Sequence, residues 1–302
     1  MMKSKLFSKN LAKRVLFLKT ILIVIFIFCG CSLNEARPKY ILENTPEAIQ
    51  EIVKTEYHFD INASLFEDTL WIYIPVEDIL IPPEKPKKYT EKFIFGDKET
   101  TAKLKNYRLL INYLAKPNPD PQEKQQEFEF NKKVIEKISN TWMVIRRVLF
   151  SIDRENSKEP DFICMVITDI KNGIEVRELS YYPDLKKVSY GYISPGEYQH
   201  RIVQEYEPIM EAIGDNEGLY LKYYTLTLKE FIPKQIRHRI ELKFKTPEVG
   251  ETVDIDEEVK KTTTLTLKIY NFNDFDEAEM YNLVTGKKSL YNKTVFETNP
   301  AN

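Results

Sequence analysis

Glycine is scarce in this 302-residue sequence, with 9 residues, about 3% where roughly 7% is usual. That disfavours collagen-like and low-complexity architectures. No Gly-x-Gly-x-x-Gly, P-loop or Gly-x-Ser-x-Gly is present, so the nucleotide and hydrolase families that depend on those loops have no foothold. Three Cys and three His leave little material for a disulfide framework or a structural metal centre, and no His-Glu-x-x-His occurs. An excess of one charge is also missing. The chain carries 44 Lys+Arg against 46 Asp+Glu, which argues against nucleic acid as a partner.

What is present begins at the N-terminus. Residues 1–30 hold six basic side chains and no acidic one, so the remainder is near −8 (38 basic, 46 acidic). The basic stretch leads into an apolar run from Ile21 to Phe28, too short for a comfortable membrane span but right for the apolar core of an export signal. The run ends Phe28-Cys29-Gly30-Cys31-Ser32. Gly30-Cys31 resembles the end of the lipobox in a bacterial lipoprotein signal peptide. Phe28 and Cys29 differ from the leucine and the small residue usual at those places. The resemblance covers residues 1–31 and implies cleavage before Cys31, lipid on its sulfur, and a body tethered to a membrane of the cell envelope, outside the cytoplasm. Ser32 is not the Asp that often retains such proteins at the inner membrane, so the outer membrane is implied where the cell has one. An uncleaved N-terminal anchor is the alternative use of the same segment. With Cys29 removed and Cys31 acylated, Cys164 would be left as a single thiol.

Residues 31–45 read as a tether. Thr45, Pro46 and Glu47 then mark a helix start, and a period of two through Tyr57–Leu65 and Leu70–Val76 predicts two strands, the second at an edge or ending at Pro75. Proline-rich stretches at 82–88 and 117–121 read as solvated loops, with a strand between them at 107–114. A helix from Asn131 to Ile152 should pack Ile138, Trp142, Ile145 and Leu149 on a central strand at 162–167. Asn172-Gly173 predicts a hairpin, with further strands from Ile174 and over Val188–Ile193. A third helix over Thr227–Arg239, kinked by Pro233, should precede strands at 240–244 and 265–269 and a last hairpin turning at Thr285-Gly286. The expected class is α+β, built of helix-then-hairpin units with mainly antiparallel sheets. A small domain at 46–125 and a larger one at 126–302 are expected.

His58, His200 and His238 are isolated in sequence and read as solvated. Acidic loops at 153–161, 254–258 and 274–277 lack the EF-hand order and read as solvated faces, although oxygen-rich loops can hold calcium. Asp215 and Glu217 read as turn residues. No catalytic residue, metal ligand or cofactor is assigned. Tyrosine is the compositional oddity: nine of 18 fall between 181 and 224. Tyr190 and Tyr192, two residues apart, are the candidate interaction surface, since tyrosine joins apolar area to a polar tip. Tyrosine also suits strands as plain structure. The expected function is noncatalytic: an envelope protein, lipid-anchored through Cys31, that binds or scaffolds another envelope protein or a glycan. An extracytoplasmic hydrolase with an active site assembled from distant residues is the alternative.

Overall fold

The computed structural model describes residues 39–245 and 253–297. Cys29, Cys31 and the export segment lie outside the described residues, as does most of the 31–45 tether. The chain is α+β, with mostly antiparallel sheets.

Helix α1 (Thr45–Tyr57) leads into the hairpin β1 (Asn62–Phe66) and β2 (Thr69–Val76). A second hairpin, β3 (Thr101–Lys105) and β4 (Arg108–Tyr113), precedes α2 (Lys132–Leu149). The Asn131 side chain caps α2 by accepting from the Lys133 N–H at 3.0 Å. The hairpin β5 (Phe162–Asp169) and β6 (Ile174–Tyr181) follows, turning at Gly173 with φ +66°. Short helices α3 (Tyr182–Ser189) and α4 (Pro195–Arg201) lead to β7 (Val203–Pro208). Helices α5 (Leu228–Lys245) and α6 (Ile255–Ile269) come next, then the hairpin β8 (Glu277–Asn282) and β9 (Lys288–Asn292), and a last turn α7 (Thr294–Glu297).

Two sheets share one plan. The first has the order β1-β2-β5-β6-β7 and the second β9-β8-β4-β3. In each, two hairpins join through their inner strands as a parallel pair, β2 with β5 and β4 with β8. Along the chain the hairpins alternate between the sheets. Strands of 46–125 are therefore central to both sheets together with strands from beyond residue 126. The strand pairs β2 with β5 and β4 with β8 cross the expected division at 125/126.

The first sheet is covered on both sides. Leu70, Ile72, Ile74, Ile163, Met165 and Ile167 face α1 and α2. Trp71, Tyr73, Phe162, Cys164 and Val166 face the other way, into a core shared with Phe231, Ile232 and Ile236 of α5 and with the second sheet. β5 is buried along its whole length, as its apolar run on both faces predicts.

Several expectations are corrected. Pro75 does not mark an edge strand, because β2 pairs with β1 and β5. The Val76 carbonyl accepts from the Ile170 N–H at 2.9 Å, so the backbone of Pro75 points toward β1, whose ladder has ended at Asn62↔Tyr73. Proline costs no hydrogen bond there. Just beyond the two proline-rich stretches, residues 88–90 and 123–125 pair as a small exposed ribbon that the sequence did not announce. α5 runs through Pro233 and continues over the strand expected at 240–244. The strand expected at 265–269 belongs to α6, where the hydroxyls of Thr263, Thr264 and Thr266 donate to carbonyls four residues back at 2.8–2.9 Å. Val188–Ile193 is a helix end and a turn.

Candidate functional site

The Tyr190-Gly191-Tyr192 turn is built by the way α3 stops. Gly191, at φ +77°, takes the left-handed conformation that a side chain would oppose. The Gly191 N–H donates to the Val188 carbonyl at 3.2 Å and the Tyr192 N–H to the Lys187 carbonyl at 2.8 Å, the paired bonds of a Schellman stop. Tyr190 and Tyr192 thus share a surface for a different reason from strand alternation. Their ring centroids are 6.5 Å apart, and Tyr190 stacks on Phe150 at 6.1 Å. Both rings are open to solvent, with 58% and 80% of their surface exposed.

Behind the turn, buried charges hold α3 and α4 to α5. Arg201 donates to Asp184 at 2.7 Å and to Glu197 at 2.8 Å, and Arg239 donates to Glu197 at 2.7 Å. Glu197 is the shared acid, and removing it would leave buried Arg239 without its ion partner, which is destabilising. The loop that carries the rings therefore rests on a fixed base.

Phe150 continues the surface onto α2. Met143, Arg146, Arg147 and Phe150 form one wall of a groove of about 770 Å³, and Ile52 and Glu56 of α1 form the other. Arg147 grips Glu56 through two bonds of 2.7 and 3.0 Å, which hold the Glu56 carboxyl below its usual range. Tyr40 closes one end: its N–H donates to the Ser151 carbonyl at 3.1 Å, and its own carbonyl accepts from the Asp153 N–H at 2.8 Å. The chain therefore enters the folded body beside Phe150. Arg154 lies between the Tyr190 hydroxyl and Glu159, and both keep its guanidinium charged.

The other seven tyrosines of 181–224 do not join this surface. Tyr182 and Tyr198 are core residues. Tyr181, Tyr220, Tyr223 and Tyr224 are half-buried, and the last two meet Trp71 edge-on. Tyr206 is exposed on β7. Among the histidines, His58 and His200 are exposed, whereas His238 is buried on α5. The solvated reading of His238 is corrected.

The acidic loops are each used locally. Asp254 caps α6 through the Glu257 N–H. Burial disfavours the charged form of Asp256, but hydrogen bonds from Asn282, Lys287 and Tyr113 outweigh it and lower its pKa. Asp274 pairs with Lys229 at 2.7 Å, and Glu277 pairs with Arg108. Asp215 accepts from the N–H groups of Glu217, Gly218 and Tyr220, as turn chemistry predicts. Among the described residues no three His, Cys, Asp or Glu side chains converge as a metal site. Cys164 is fully enclosed, and burial pushes its thiol well above the usual range, which makes it unreactive.

A second groove of about 720 Å³ lies between β3, β7 and α5, and includes Lys103, Glu205, Lys234 and Arg237. Its three acids are each engaged: Glu205 with Lys234 at 2.5 Å, Asp97 with Lys245 at 2.8 Å, and Glu230 with the Thr227 N–H at 3.0 Å. No helix of the described residues is long and apolar enough to cross a membrane. The chain matches no protein-family model, no curated protein and no solved structure.

Proposed function

We propose that this is a lipid-anchored protein of a bacterial cell envelope, attached through Cys31, that acts by contact and not by catalysis. Its folded body serves a binding or scaffolding role outside the cytoplasm, toward another envelope component, and Tyr190 and Tyr192 form the centre of the contact surface. One observation carries the assignment of the surface: two neighbouring rings are held open to solvent by a rigid helix stop, on a base of buried ion pairs. Neighbouring exposed rings that join a groove form a contiguous apolar patch, the kind of surface that supports a contact role. The export pattern of residues 1–31 supports the location.

Photo-crosslinking from position 192 in intact envelopes tests the reading. An adduct with protein, glycan or lipid is expected, and Tyr190→Ala should reduce it severalfold. That variant should leave the fold intact, since it removes a stacking contact worth about 1 kcal/mol and contacts to Arg154 and Tyr192 at the surface. No adduct from position 192, or one indifferent to Tyr190, would refute the contact role.

A further inference from the structure

The place where the tether meets the body bears on what this surface touches. Tyr40 is fixed beside Ser151–Asp153, directly after Phe150. From Cys31 to Lys39 there are eight residues, which span at most about 28 Å when fully extended. Whatever holds Cys31 must lie within that distance of Lys39, whose neighbour Tyr40 lines the groove. The opposite end of the molecule lies about as far off as the tether's full extension. Leu219 stands there, 80% exposed, on a loop whose Gly214 N–H bonds the Ile170 carbonyl just past the far end of β5. The Tyr182 N–H bonds the Asp161 carbonyl at the near end, and the eight residues of β5 between them cover about 26 Å.

The chemistry of the near end suits one occupant. Tyrosine rings with a polar tip settle at the headgroup level of a bilayer. Phe150 and the half-exposed Met143 add apolar area beside them. The acids around the rings are paired, Glu56 with Arg147, Asp153 with Lys39 and Glu159 with both Arg154 and Lys186, and Arg146 on the groove wall adds a small positive excess. Charge alone is therefore a minor part of the attraction, and the rings carry most of the contact. Tethering makes the contact intramolecular, so a weak interaction suffices to hold it.

We infer that the Phe150–Tyr190–Tyr192 surface rests on the interfacial zone of the bilayer that holds the Cys31 anchor, so that the body stands with the Leu219 end pointing away. This rests on the lipid-anchored reading and deepens it.

The experiment uses the full chain, extracted from membranes and reconstituted in phosphatidylcholine vesicles that contain a nitroxide-headgroup lipid. Intact mass comes first. A chain without lipid at Cys31 refutes the anchored reading, and the contact inference with it, before any vesicle is made. In the lipid-bearing protein a fluorophore is placed at Tyr192→Cys or at Leu219→Cys, while buried Cys164 stays unlabelled. Quenching by the nitroxide lipid should be at least fivefold stronger at 192 than at 219. It should persist in phosphatidylglycerol vesicles and in high salt, because the rings carry most of the contact. Adding Tyr190→Glu should bring the quenching at 192 down severalfold while the thermal transition stays in place. Equal quenching at 192 and 219 would overturn the inference. So would quenching at 192 that ignores Tyr190→Glu, since the tether alone would then explain it. A label at 192 that is shielded from aqueous iodide yet unquenched by the nitroxide lipid would assign the surface to a protein partner or a second copy instead.

Discussion

His238 is enclosed on α5, with 8% of its surface exposed. Burial pushes its pKa down to about 4, and the cations Arg239 and Arg237 with nearby His200 add to the shift while Glu205 opposes it. Unfolded, the imidazole titrates near 6.5. Between those values the unfolded chain binds a proton that the folded chain refuses. The stability is therefore complete above about pH 6.5 and is lost as the pH falls toward 4. Urea unfolding should show a loss of about 2 kcal/mol between pH 7 and pH 5, and His238→Phe should flatten most of that slope. An unchanged slope in the variant would show that the imidazole is not enclosed. The sequence offered little warning of this burial. Phe231, Gln235 and His238 lie on one face of α5, and two polar members in that row conceal its inward direction. Tyr190 and Tyr192 were legible as a pair but not as a turn; the overlooked signal was Gly191 two residues past the end of a helix that Pro183 and Asp184 announce.

Among the elements, those with strong local chemistry could be read directly. α2 shows its cap at Asn131 and its apolar row, within which Trp142 is half-buried, with its indole N–H donating to Glu178 at 3.3 Å. β5 could be read from its double apolar face, and the hairpins from Asn172-Gly173 and Thr285-Gly286. α6 was hidden by composition. Leu265, Leu267 and Ile269 alternate with threonine as a strand would, yet Val259, Thr263, Thr266 and Leu267 form the buried row at helical spacing. Threonine can face that row because its hydroxyl is satisfied within its own helix. Asp254, Asp256, Glu257 and Glu258 looked like a solvated loop for a related reason: acids favoured at a helix N-terminus are also favoured in water. α5 kept its course through Pro233 because the Thr227 N–H is met by Glu230 at 3.0 Å and the proline falls early in the helix, where packing of Phe231, Ile232 and Ile236 outweighs one missing bond.

On the scale of the whole molecule, the two sheets interleave across the expected boundary at 125/126. Local signals describe hairpins, but which hairpin meets which is set by the parallel pairs β2 with β5 and β4 with β8, whose partners lie about 90 and 170 residues apart in sequence. The body should therefore unfold as a unit. Residues 46–125 made alone should remain unfolded by circular dichroism and proteolysis, because both inner strands would lack their partners. A folded fragment with its own cooperative transition would contradict the shared-sheet account. The same architecture puts Tyr40 and the open tyrosine pair at one end, the end from which the proposed anchor at Cys31 would hold the body. Intact-mass measurement of the full protein taken from membranes tests that anchor most directly. The account predicts a chain that begins at Cys31 and carries acyl groups, with processing blocked by Cys31→Ser but not by Cys29→Ser. An unmodified chain beginning at Met1 would contradict it.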